Sequence, residues 1–277
     1  MKKLLIAIFS MMLILSLCAC GANTTEGSNT PSADSRNQSE LPDEELFNEI
    51  GGTNSTKDGG YEAFSDARLE FDHYVMEKSS EEEIVMYNQS LVLTPETEVF
   101  DYMTPLIYWG ETLDDEELAG KEIVLGLLAG EEKSNQSADL QKESDNRYTM
   151  TIETKKGEQI VIRVEYNPDI DALRLVAENS GEHALLFEYA KTGDGYAAQF
   201  YFNAIVGGTY GAQNKSMCVY KTIFSGKDGS CARFDGVGEP VSLLEGVPDE
   251  QAFIDGATHW FTLKDDKFTG ELDGTTF

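Results

Sequence analysis

Histidine occurs only three times in the 277 residues, cysteine four times, tryptophan twice and proline seven times. Basic residues are scarce too: 21 Lys and Arg stand against 50 Asp and Glu, a formal net charge of −29. This charge argues against a nucleic-acid partner, because phosphate binding needs clustered Lys and Arg. Four cysteines are too few for a disulfide-built scaffold of this length. His73, His183 and His259 lie far apart, and none has the H-E-x-x-H spacing of a zinc enzyme. No G-x-S-x-G elbow and no S-x-x-K motif is present. Ser225-Gly226-Lys227 lacks the upstream glycine of a phosphate loop, and the glycine-rich segment Val206–Gly211 opens no evident helix. No carboxylate pair of the glycosidase kind can be singled out among fifty acids. Nothing in the sequence calls for a metal or a cofactor, and the chain reads as non-catalytic. Its 40% hydrophobic and 10% aromatic content is nonetheless ordinary for a folded protein.

Long apolar runs are absent after the first. Met1-Lys2-Lys3 is a positive n-region, and Leu4–Leu17 is apolar but for Ser10 and Ser16, a secretory h-region too short for a comfortable membrane span. The run ends in Leu17-Cys18-Ala19-Cys20-Gly21. This resembles the bacterial lipobox: an aliphatic residue at −3, a small one at −1, then the cysteine. The resemblance implies that residues 1–19 are a lipoprotein signal peptide, that Cys20 becomes the mature N-terminus, and that its sulfur carries a diacylglycerol thioether. Cys18 fits less well, since Leu17 would then fill the place that wants a small side chain. A plain signal peptide cut near Ala19 is the competing reading. Cleavage ahead of Cys20 removes Lys2 and Lys3 and no acid, so the mature chain is more acidic still. Anionic lipid repels such a body, and attachment is expected to run through the acyl chains.

Residues 20–60 are rich in Ser, Asn, Thr, Gly, Asp and Glu and poor in bulky apolar side chains. That composition cannot offset chain entropy, which predicts a disordered acidic linker reaching about 35 Å on root-mean-square. From Tyr61 the pattern changes. Tyr61, Phe64, Ala67, Phe71, Tyr74, Val75 and Lys78 recur at helical spacing. Ser80-Glu81-Glu82-Glu83 has capping-box form, Thr94-Pro95 and Thr104-Pro105 resemble helix starts, and Asp114–Glu117 suits a further helix ending at Gly130. Residues 131–146 are polar and predict a loop. After Arg147, Tyr148, Met150 and Ile152 alternate with polar residues, as do Ile160, Ile162, Val164 and Tyr166. Turns are expected at Lys155-Lys156-Gly157, Asn167-Pro168-Asp169, Asn179-Ser180-Gly181 and Lys191–Gly195. Asp169-Ile170-Asp171 lacks the full calcium-loop pattern and reads as part of its hairpin turn. Later strands are expected at 217–224, 258–263 and 267–272, with a short helix from Pro248. Helices followed by hairpins predict an α+β fold: one domain, residues 61–277, with N-terminal helices packed on a curved antiparallel β-meander sheet, open and half-barrel-like.

Few residues stand out as site candidates. Cys218 and Cys231 flank the turn Ser225–Ser230, and on adjacent strands of a hairpin they would be candidates for a disulfide or for two reduced thiols. Trp109 and Trp260 would line a pocket for a sugar or an acyl chain, or fill the core between helices and sheet; the core reading is preferred.

The lipobox, the Ser/Thr/Glu-rich tether, the Tyr61-Glu62-Ala63-Phe64 helix start and the Leu186-Phe187-Glu188-Tyr189 to Gly195-Tyr196 hairpin resemble uncharacterised surface lipoproteins of Gram-positive (Firmicutes-type) bacteria. The helix-plus-meander order also resembles, at fold level alone, the Lol-type lipoprotein carriers, which bind acyl chains in an open half-barrel; no residue of theirs is matched here. The resemblance implies a protein on the extracytoplasmic face of the cell membrane. Its expected role is a non-catalytic binding or interaction module for a small apolar or sugar ligand or a protein partner. An acyl-chain carrier and an extracellular carbohydrate-active enzyme are the alternatives.

Overall fold

Alternating apolar residues dictate most of the architecture. The computed structural model describes residues 59–81, 135–144, 146–205, 215–272 and 274–277, together with Leu91, Val92, Pro95, Tyr102, Met103 and Leu106. One long helix, α1 (Tyr61–Glu81), precedes the strands. The strands are β1 (Asn135–Ser144), β2 (Arg147–Thr154), β3 (Gln159–Asn167), β4 (Ala172–Asn179), β5 (Glu182–Thr192), β6 (Gly195–Ile205), β7 (Lys215–Ser225) and β8 (Asp228–Asp235). A 3₁₀ turn (Leu243–Glu245) and the short helix α2 (Glu250–Ile254) lead to β9 (His259–Lys264), β10 (Lys267–Leu272) and β11 (Thr275–Thr276).

The eleven strands form a single open sheet in strict chain order, each antiparallel to the next, with β1 and β11 at its edges. The fold is therefore mainly β rather than an even α+β mixture, and its antiparallel meander is as the alternation predicts. The expected helix from Asp114 to Gly130 lies outside the described residues. Residues 131–146 are a correction, since Asn135–Ser144 form β1 instead of a loop. An edge strand pairs on one side only. Exposed Gln141, Lys142, Glu143 and Ser144 need no apolar face, and polar residues protect an edge from further pairing. Asp58–Phe277 make one compact unit.

Register assigns each side chain to a face. Phe187 on β5 is opposite Phe200 on β6, and Phe200 is opposite Tyr220 on β7. With Leu175, Tyr189, Tyr196 and Phe224 they make the face against which α1 lies. The Phe64 ring stacks on Tyr189 at 4.4 Å and meets Tyr196 edge-on at 5.5 Å, while Phe71 stacks on Phe224 at 5.1 Å. Phe71 and Val75 are fully buried. Burial of such rings stabilises by about 1.5–3 kcal/mol each.

The same helical stripe also buries two charged residues, Arg68 and Asp72. Arg68 Nε donates to both carboxylate oxygens of Asp72 at 2.8 Å. Burial pushes the Asp72 carboxyl above its usual range, and the neighbouring Arg68 guanidinium opposes that shift.

The opposite face carries a smaller apolar cluster, Ala172, Ala190, Ala197, Leu243 and Phe253. It is roofed by the chain between β8 and β9, which brings the 3₁₀ turn against β4 and β5 and α2 against β7 and β8. This second burial explains why β5 and β6 read as continuous buried runs and not as alternating ones.

Candidate functional site

Two hairpins meet at one end of the sheet. Arg147, at the start of β2, is opposite Glu165 on β3, and Arg147 Nη2 donates to Glu165 Oε1 at 2.7 Å. The Tyr166 amide donates to the Asn146 carbonyl at 2.9 Å, which ties the β1–β2 turn to the end of β3. Asn167-Pro168-Asp169 then reverses the chain. Pro168 lacks an amide proton, and the Asn167 side-chain oxygen accepts from the Asp169 amide at 3.1 Å, an Asx-type turn. Leu244 arrives from the 3₁₀ turn. Between these parts lies an open cleft of about 370 Å³, lined by polar Ser144, Asn146, Asn167 and Asp169, by the Arg147–Glu165 pair, and by Tyr166, Pro168 and Leu244.

Two buried carboxylates hold this end of the molecule. Asp171, left-handed at φ 44°, follows the turn and accepts from the Gly60 amide at 2.8 Å and the Tyr166 hydroxyl at 3.0 Å. The Tyr196 hydroxyl approaches its other oxygen at 3.4 Å. Burial first, and the Asp171 charge second, pushes the Tyr196 phenol up to about 12 and those of Tyr166 and Tyr189 higher still.

Glu188 on β5 is fully buried on the other face. Its carboxylate accepts from Arg174 Nη1 (2.8 Å), the Ser242 hydroxyl (2.7 Å), Gln199 Nε2 (2.6 Å) and the Leu243 amide (2.9 Å). Four donors satisfy a carboxylate in full, and together they pin the 3₁₀ turn, and so Leu244, over the sheet.

The residues singled out from the sequence do not gather here. Cys20 and Trp109 lie outside the described residues. Trp260, half-buried on β9, is opposite Ala232 and Glu271. Cys218 and Cys231 do not form a disulfide. The register explains this: Cys218 is opposite Asp235, whereas Cys231 is opposite Thr222, four residues further along β7, about 13 Å of strand. The Cys218 thiol donates to Asp235 Oδ1 at 3.3 Å, and burial together with that carboxylate pushes its pKa up, away from a nucleophilic thiolate. Arg233 Nε holds the same Asp235 at 2.6 Å, and His259 Nε2 lies 4.0 Å from its other oxygen. His73 and His183 are exposed. Among the described residues no group of His, Cys, Asp or Glu is arranged to hold a metal ion, and no helix is long and apolar enough to cross a membrane.

The sequence reading missed Glu188 and the cleft. A lone Glu inside the apolar run Leu185–Ala190 is the signal that marks the first. The second joins positions about twenty and about a hundred residues apart, and no local pattern announces that. Comparison with protein-family models, with curated proteins and with solved structures finds no match for this chain.

Proposed function

We propose that this chain is a lipid-anchored extracytoplasmic lipoprotein, held to the cell membrane through a diacylglycerol thioether on Cys20, whose folded unit is a non-catalytic binding module. The binding reading is carried by the cleft between the β1–β2 and β3–β4 turns, which is lined by hydrogen-bonding groups. Carboxamides, a hydroxyl and an ion pair are groups of recognition. The anchor reading is supported by Leu17-Cys18-Ala19-Cys20. Two acyl chains suffice for stable attachment where one is marginal.

The acyl-chain carrier draws less support. An open meander of this many strands is expected to curl toward a half-barrel. Yet a carrier needs an apolar hollow under its helices, and the rings of Phe64, Tyr189, Phe187 and Tyr196 interlock where α1 meets β5 and β6. The carbohydrate-active enzyme needs two facing acids beside an exposed Trp109 or Trp260; Trp260 is half-buried and Trp109 lies outside the described residues.

Fractionation of cells expressing the wild-type chain and Cys20→Ala tests the reading. The wild type is expected in the membrane fraction and the variant in the soluble one. Retention of Cys20→Ala in the membrane would refute the anchor.

A further inference from the structure

We infer that the cleft between the two hairpins binds a neutral saccharide. The inference deepens the binding-module reading above and rests on it.

Charge narrows the ligand first. Arg147 already donates to Glu165 at 2.7 Å, so its guanidinium is not an uncommitted anion trap. Asp169 adds a second carboxylate to the lining, so the two acids outnumber Arg147 there, and the chain as a whole carries −29; phosphates and acidic ligands meet an opposing field. A compact cation finds no cage, because Glu165 is spent on Arg147 and no metal-holding group occurs among the described residues. What remains is a neutral molecule that hydrogen-bonds.

The lining then selects among neutral molecules. Asn146, Asn167 and Asp169 each end in a planar group with two hydrogen-bonding atoms, and carboxamides both donate and accept. Vicinal hydroxyls, which also donate and accept, are the complement of such groups. Pro168 and Leu244 supply a small apolar patch for the C–H face of a pyranose ring. A fatty chain would cover the Asn146 carboxamide and the Asp169 carboxylate without offering them partners, at a cost of about 1–3 kcal/mol each. The volume, about 370 Å³, falls within the range of small-ligand clefts, about 300–1,000 Å³.

The support is also preorganised. The Tyr166 amide bond to Asn146, the Asx turn at Asn167 and the Glu188 clamp on the Leu243 amide each fix one wall through the backbone. Little ordering is therefore left for the ligand to impose.

The test is calorimetric titration of the mature, detergent-extracted protein with maltose, cellobiose, lactose and N,N′-diacetylchitobiose, and with glucose 6-phosphate and galacturonic acid as charged counterparts. Asn146→Ala and Asp169→Ala are the probing variants, and Lys267→Ala, on distant β10, is the control. At least one neutral disaccharide is expected to bind, at least tenfold more weakly to each cleft variant and unchanged to Lys267→Ala. Thermal midpoints near that of the wild type will show that the variants are folded. Binding by none of the four neutral sugars, equal binding by the cleft variants, or tighter binding of either charged sugar would overturn the proposal. Release of monosaccharide from a bound disaccharide would uphold the ligand class while overturning the non-catalytic reading. Neither result depends on the Cys20→Ala fractionation.

Discussion

The carboxylate of Asp171 accepts a 2.8 Å hydrogen bond from the amide of Gly60, a residue 111 positions earlier in the chain. Gly60 immediately precedes α1, so the carboxylate sits at the positive end of that helix and binds it to the β3–β4 turn. Asp171→Ala removes this bond and the one from Tyr166, and puts an alanine at φ 44°. A loss of about 2–3 kcal/mol is expected by urea unfolding. Asp171→Asn retains an acceptor and tolerates the left-handed backbone, and is expected to recover more than half of that loss.

Glu188 makes a sharper test, because nothing about it is exposed. Glu188→Gln keeps the shape but removes one of the two carboxylates paired with Arg174, leaving Glu239, and turns an NH₂ toward existing donors. A destabilisation of about 1–3 kcal/mol is expected from the donors left without an acceptor. Hydrogen exchange is expected to show the Leu243 amide losing protection first, since that amide donates directly to the carboxylate. Unchanged protection at Leu243 would mean that the 3₁₀ turn is held by other contacts.

The tyrosines around Asp171 give an alkaline signature. Their folded pKa values lie above the unfolded value of about 10, so the stability they contribute is fully present below pH 10 and is lost as the pH rises through the folded values. For Tyr196 that window runs from 10 to about 12. Absorbance at 295 nm is expected to show Tyr166, Tyr189 and Tyr196 among the tyrosines that ionise late, together with unfolding. Titration of all twelve tyrosines near pH 10 in a folded protein would contradict the cluster.

Cys218 and Cys231 are expected to titrate as two thiols after denaturation without reductant, and slowly or not at all before it. Recovery of a disulfide between them would require β7 and β8 to pair in a different register.

The meander was legible because strands such as β2, β3 and β10 follow a period of two and the turns carry the residues that turns need. Ile160, Ile162 and Val164 predict β3, and Ser180 and Gly181 supply the left-handed backbone, φ 53° and 84°, of the β4–β5 turn. β1 was illegible for a physical reason: an edge strand with a wet exterior has no apolar alternation to read. α1 was legible from Phe64, Phe71 and Val75, but the burial of Arg68 and Asp72 was not, since two charges can occupy a buried stripe once they neutralise each other. The cleft could be read only in part. Asn167-Pro168-Asp169 was recognisable as a turn, but its neighbours Asn146 and Leu244 are set by pairing and by the Glu188 clamp.

The central claim is that a lipidated cysteine tethers this acidic sheet outside the cell. Mass spectrometry of the amino-terminal peptide of the membrane-extracted protein tests it most directly. The account predicts a peptide that begins at Cys20 and carries a diacylglyceryl group on sulfur. A chain that begins elsewhere, or a Cys20 bearing an unmodified thiol, would contradict it.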